Sequence, residues 1–184
     1  MSRIYLLSSL PTLALGQDPP MSLEAFLRQC TILGMEEQAE IGRIIQGRHQ
    51  DLRTGFGQAW RDLDLQIRHQ IMIFRTTAWN VQSAKSEPSM SRLSVRARDV
   101  VNDALELDSP LEREWALDKG RWVLIQDLTS PDDVFGLDRV LAYGLRLKLV
   151  HRWGGMDRMK GRERFQALVK SCMDEAQMGL QAEG

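Results

Sequence analysis

Between Phe56 and Val81 the apolar residues recur every three or four positions: Phe56, Trp60, Leu63, Ile67, Ile71, Phe74, Ala78 and Val81. That interval stacks them on one side of a 3.6-residue helix and predicts a buried stripe. Leu65, Met72 and Trp79, seven apart, lay a second apolar row beside it, so the helix should touch neighbours over more than half its girth. A helix over 58–83, at about 1.5 Å per residue, would run about 40 Å and serve as the spine of a helical core.

The other segments read as shorter helices around that spine. Ile4 to Leu7 is brief and apolar, and Pro11 and the pair Pro19-Pro20 follow it, which predicts an extended or single-turn arm over 1–21. Ser22 is an N-cap candidate with Glu24 in the first turn, and Leu23, Phe26, Leu27, Cys30 and Leu33 share one face, predicting a helix over 23–33. Gly34 ends it, and 36–46 forms a second with Ala39, Ile41, Ile44 and Ile45 as its apolar contacts. After the polar Lys85–Ser91 stretch, helical spacing resumes over 92–107 with Leu93, Ala97, Val100, Val101, Ala104 and Leu105 inward. Ser109-Pro110-Leu111-Glu112 has the parts of a capping box and places a helix start at Pro110, with Leu111, Trp115, Trp122 and Ile125 facing the core. Ser130-Pro131 begins only a short turn. Asp138 caps a helix over 139–153 that Gly154-Gly155 stops, and a last helix is predicted over 158–179. The fold class is therefore all-α: a single-domain multi-helix bundle over 22–184 with one long central helix and a short extended N-terminal segment.

Composition narrows the class of molecule more than its role. The chain has 184 residues, 43% hydrophobic and 27% charged, which suits one globular core. A formal net charge of −1 supplies no overall attraction to nucleic acid or an anionic membrane, and no apolar run reaches membrane-span length. Cys30 and Cys172 have neither metal spacing nor the density of a disulfide scaffold, which points to core thiols in a reducing, cytoplasmic setting. Met1–Gly16 imitates a secretory leader, but Ser8, Ser9 and Pro11 break its apolar run, so it is expected to pack on the core.

Candidate chemistry is sparse. Asp62 and His69 lie about 10 Å apart along one helix, too far to share an ion, so His49, His69, Asp62 and Asp64 read as solvated helix residues. Nucleophile elbows and glycine-rich phosphate loops are missing, and the expectation is a non-enzyme with no catalytic, cofactor or metal residues. The charge is uneven, however. Asp138 to Arg164 holds eight Lys or Arg against three acids, a local +5 against −6 elsewhere, which favours an acidic partner surface over nucleic acid.

Three segments together resemble a known family: Tyr5-Leu6-Leu7-Ser8-Ser9-Leu10-Pro11 through Gly16 and Pro19-Pro20 to Phe26-Leu27; Leu111-Glu112 with Asp118 and Arg121-Trp122; and Phe135-Gly136-Leu137-Asp138 through Leu141-Ala142-Tyr143 and Leu145–Leu149 to Arg152-Trp153. The family is an uncharacterised bacterial one whose genes sit in operons for V-type ATPases. It is distantly similar to the all-helical funnel of V/A-type ATPases, the component that seats the central stalk on the membrane rotor ring. This chain is shorter than that funnel and lacks its repeated helical units. The resemblance implies a non-catalytic helical component or assembly factor of a proton- or sodium-translocating V-type ATPase, cytoplasmic or peripheral to the inner membrane, docking on central-stalk or rotor-side subunits. Tyr5, Leu10, Pro11, Trp122, Asp138, Tyr143, Arg146, Lys148, Arg152 and Trp153 are then the interface candidates, with Arg146, Lys148 and Arg152 sharing an exposed side. The alternatives are a stand-alone regulatory or scaffolding helical module and an enzyme with an inter-helix pocket.

Overall fold

A helix that is apolar on most of its circumference can be satisfied only by neighbours on several sides. The stretch that meets this condition is α7 (Leu137–Gly154), where Val140, Leu141, Ala142, Gly144, Leu145, Leu147 and Val150 are all buried. The computed structural model describes residues 2–78 and 95–154, together with Val169. Within them are α1 (Ser2–Ser9), α2 (Leu23–Gln29), α3 (Met35–Gln46), α4 (Gly55–Ala78), α5 (Val95–Leu105) and α6 (Pro110–Asp127), and no strand. Helix α7 contacts α1, α2, α3, α4 and α6, while α5 packs on α6 and α4. The fold is all-α, as the apolar spacing predicts. The predicted helix over 158–179, the end of the spine helix beyond Ala78, the 85–91 loop and Cys172 lie outside the described residues.

Three expectations change. The N-terminal arm begins as a helix, α1, rather than an extended segment; Leu6 at its centre is buried and its row meets α7, so tertiary packing orders a stretch too short to be helical alone. Second, α4 is the longest helix among the described residues at 24 residues, but within them its predicted stripe is buried only at Phe56, Trp60, Leu63 and Ile67. Beyond them Phe74 is 40% exposed, and the second row is exposed at Leu65 and Met72. The helix organises the bundle over its first half; α7 holds the centre. Third, α6 keeps only Ile125 of its predicted inward residues fully buried. Leu117, Asp118, Leu124 and Ile125 are buried, whereas Leu111 is exposed and Trp115 and Trp122 are half-buried.

Local causes fix the helix ends. The Ser22 hydroxyl accepts from the Ala25 amide at 3.1 Å, the predicted cap. Helix α6 does start at Pro110, but the Ser109 side chain makes no cap bond; proline's fixed φ and absent N–H suffice there. Gly47, at φ +74°, closes α3 in the left-handed conformation that glycine adopts without strain. The start of α4 is held from outside: buried Glu40 accepts from the amides of Arg53 (2.8 Å) and Thr54 (2.9 Å) and from the Thr54 hydroxyl, while Arg43 donates to its other oxygen. Burial pushes that carboxyl's pKa up; the amides of Thr54 and Arg53, the Thr54 hydroxyl and Arg43 outweigh it, and the net shift is downward. Helices α5 and α6 approach so closely at Gly120 that a Cβ there would overlap Val100.

Candidate functional site

Two groupings on the α6–α7 side collect most of the predicted interface residues. The first is a cleft of about 300 Å³ between the arm (Leu7, Leu10, Pro11, Thr12, Leu13), the end of α6 and its loop (Gln126, Thr129, Val134), and Arg139, Ala142, Tyr143 and Arg146 of α7. Leu10, Pro11, Tyr143 and Arg146 therefore meet in one place. The Tyr143 hydroxyl donates to the Pro11 carbonyl at 3.0 Å, tying the arm to α7, and its ring lies 5.4 Å from that of Phe26. Burial pushes the phenol's pKa up to about 12, so it remains a donor. The Arg146 guanidinium sits 4.6 Å over the Trp122 ring and donates to the Trp122 carbonyl (3.3 Å) and the Gln126 side-chain oxygen. Arg139 donates to the Ser130 carbonyl at 3.1 Å. The Nε atoms of both arginines are buried without a hydrogen-bond partner. Burial and then the charge of Arg139 lower the pKa of Arg146: two like charges share a partly desolvated space.

The second grouping is a ladder of ion pairs centred on Asp118, which is fully buried. Its carboxylate accepts from Arg121 (2.7 Å), Arg152 (2.8 Å) and the Trp153 indole N–H (2.9 Å). Arg152 also reaches Glu114 at 2.7 Å. Arg121 continues the ladder toward Asp64 on α4 (3.8 Å), which pairs with Arg68 (2.7 Å) and lies 3.7 Å from His49. Burial raises the Asp64 pKa, but the neighbouring His49 and the charges of Arg68 and Arg121 lower it more. The ladder bolts α4, α6 and α7 together, and breaking one partner of such a buried set costs about 3–5 kcal/mol.

The remaining candidates separate. Lys148 donates to the Ile44 carbonyl at 2.9 Å, placing its charge at the C-terminal end of α3. Arg146 packs on α6 and Arg152 on Asp118, so the three cations do not share an exposed side; two helices on either flank of α7 claim them. Tyr5 is 72% exposed and stands apart from both groupings. Asp138 lies in the first turn of α7, its pKa raised by burial and by Asp133 against a smaller opposing effect of Arg3. The basic residues at 158, 160, 162 and 164 fall outside the described residues. Among the described residues, no three metal-ligating side chains converge, and no helix is long and apolar enough to cross a membrane.

Sequence reasoning missed Arg139 and the structural use of Asp118, and Asp64, expected to be solvated, is buried in the ladder. Asp118 is three residues before Arg121, a spacing that signals an ion pair on one helix face. Arg139 left no such signal, since its place in the cleft depends on the arm.

Comparison with known proteins adds one match. The model of a family described as "Protein of unknown function (DUF2764)" matches residues 93–176. The chain is similar to that family over α5, α6 and α7. The match therefore includes Asp118, Arg139, Tyr143, Arg146 and Arg152, and excludes the arm that closes the cleft. No curated protein and no solved structure matches the chain.

Proposed function

We propose that the chain acts by docking, as a non-catalytic helical component or assembly factor of a V-type ATPase, with no chemistry of its own. One observation supports docking above others. Away from its buried stripe α4 presents Leu65 and Met72, and near its end Ile73 and Phe74, at 40–55% exposure. Leu65 and Met72, seven residues apart, share one face of the helix, and an exposed apolar face of this kind marks interaction sites. The engagement of the buried carboxylates points the same way: Glu40 holds the start of α4, and Asp118 and Asp64 join helices, so these acids serve architecture. The partner class is supported by the sequence resemblance to the ATPase-operon family.

Affinity purification of the tagged chain from its host, under conditions that preserve the ATPase, tests this reading. Co-purification of stalk or rotor-side subunits, lost in a Leu65→Lys/Met72→Lys variant, is the expected result. Recovery without any part of the ATPase overturns it, and a reproducible different partner set favours a stand-alone scaffold.

A further inference from the structure

We propose that the cleft between the N-terminal arm, the end of α6 and α7 is a binding site for a small organic carboxylate, its charged head on Arg139 and Arg146 and its apolar body against the leucines of the arm. The proposal does not rest on the docking reading. Its first ground is charge. Among the described residues, two arginines line the cleft and no carboxylate does, whereas Arg121 and Arg152, on the neighbouring faces of α6 and α7, are each answered by an acid. The second is geometry. Each guanidinium is anchored at one Nη2 corner, to Ser130 for Arg139 and to Trp122 and Gln126 for Arg146, while each Nε remains buried without an acceptor. Buried donors are nearly always paired in folded proteins, so these two are unanswered polar groups beside the cleft. The acceptor that matches a guanidinium edge is a planar oxyanion taking two parallel N–H bonds.

The third ground selects the ligand within that chemistry. Leu7, Leu10, Leu13, Val134 and Ala142 supply the apolar part of the lining, which a bare phosphate would leave wet and an aliphatic acid would cover. A volume of about 300 Å³ falls at the small end of ligand sites, which run from about 300 to 1,000 Å³. Stacking on Trp122 holds Arg146 in place before any ligand arrives, so little side-chain ordering opposes binding.

Calorimetric titration of the full chain with hexanoate, hexanol and inorganic phosphate at constant ionic strength tests the site. Trp122 fluorescence and the arginine Nε–H resonances serve as local readouts. Saturable hexanoate binding that shifts both Nε–H signals and weakens at least about tenfold in Arg139→Gln and in Arg146→Gln is expected, since each removes a charge-assisted bond. Arg139→Gln keeps the test open if the Arg146 variant fails to fold, which far-UV circular dichroism decides. Arg146→Lys should bind more weakly than the parent, because a lysine lacks the fork. Equal affinity for hexanol, binding of phosphate without hexanoate, or no saturable binding of hexanoate would each overturn the proposal.

Discussion

The near and far halves of α4 carry the same apolar spacing, yet they meet opposite fates. Phe56, Trp60, Leu63 and Ile67 of the near half are buried, whereas Phe74, further along the same stripe, is 40% exposed, and Met72 and Ile73 are 47% and 42% exposed. The intervals cannot explain the difference, because Ile67 to Phe74 is the same heptad step as Phe56 to Leu63. What differs is the neighbourhood. The near half has Glu40 gripping its first turn and Asp64 pairing toward α6, whereas no comparable tether involves Phe74 among the described residues. Periodicity states which face is apolar; the neighbouring helices decide whether that face is core or surface.

The largest test strikes the ladder that secures the packed side. Asp118→Asn would leave Arg121 and Arg152 against a neutral amide, and a loss of about 3–5 kcal/mol in denaturant unfolding is expected. A loss below about 1 kcal/mol would mean that the ladder decorates the packing rather than fastening it. Next comes a direct contrast. Leu141→Ala on α7, at a fully buried site, should cost about 2–5 kcal/mol, and Phe74→Ala on the far half of α4 about 1 kcal/mol or less. Comparable losses at the two sites would erase the distinction between them.

A smaller effect concerns how the near half is held. The folded-state pKa values of Glu40 and Asp64 are lowered. Their contribution is therefore present above the unfolded values, about 4.3 and 3.9, and is lost as pH falls through the folded ones. Thermal unfolding followed between pH 7 and pH 3 should show stability falling below about pH 4. Glu40→Gln should cost about 1–3 kcal/mol at neutral pH and flatten the acid limb; an unchanged limb would assign acid sensitivity elsewhere.

Much of this architecture was legible in the residues, and the exceptions share a cause. The helix start at Pro110, the Ser22 cap and the apolar faces of α2 and α5, with that of α3 apart from Ala39, which is exposed, follow from local chemistry, which a sequence displays. The helical state of Ser2–Ser9, the inward turn of Asp118 and the flanking roles of Lys148 and Arg146 do not, because each is set by a residue far along the chain: α7 for the arm, Arg152 and Trp153 for Asp118, Ile44 for Lys148 and Trp122 for Arg146. The cleft is the extreme case. Its arginines come from α7 and its apolar wall from the arm, more than 120 residues apart, and no motif spans that gap.

The smallest expected change in stability is also the most informative about function. Leu65→Lys and Met72→Lys replace side chains that are 55% and 47% exposed, and surface substitutions of this kind shift stability by only about 0.5 kcal/mol either way. If the patch were merely tolerated, adding charge would change nothing else. If it is a docking face, two ammonium groups in an apolar contact must be desolvated on association, and binding should collapse while the unfolding midpoint stays put. A single charge at a packed position of the near half, such as Ile67→Lys, would lower the midpoint itself. Loss of partner capture with an unmoved midpoint therefore separates a surface kept for another protein from a core left unfinished. A drop in the midpoint of the doubly substituted chain would instead show that this face of α4 is already covered by this chain.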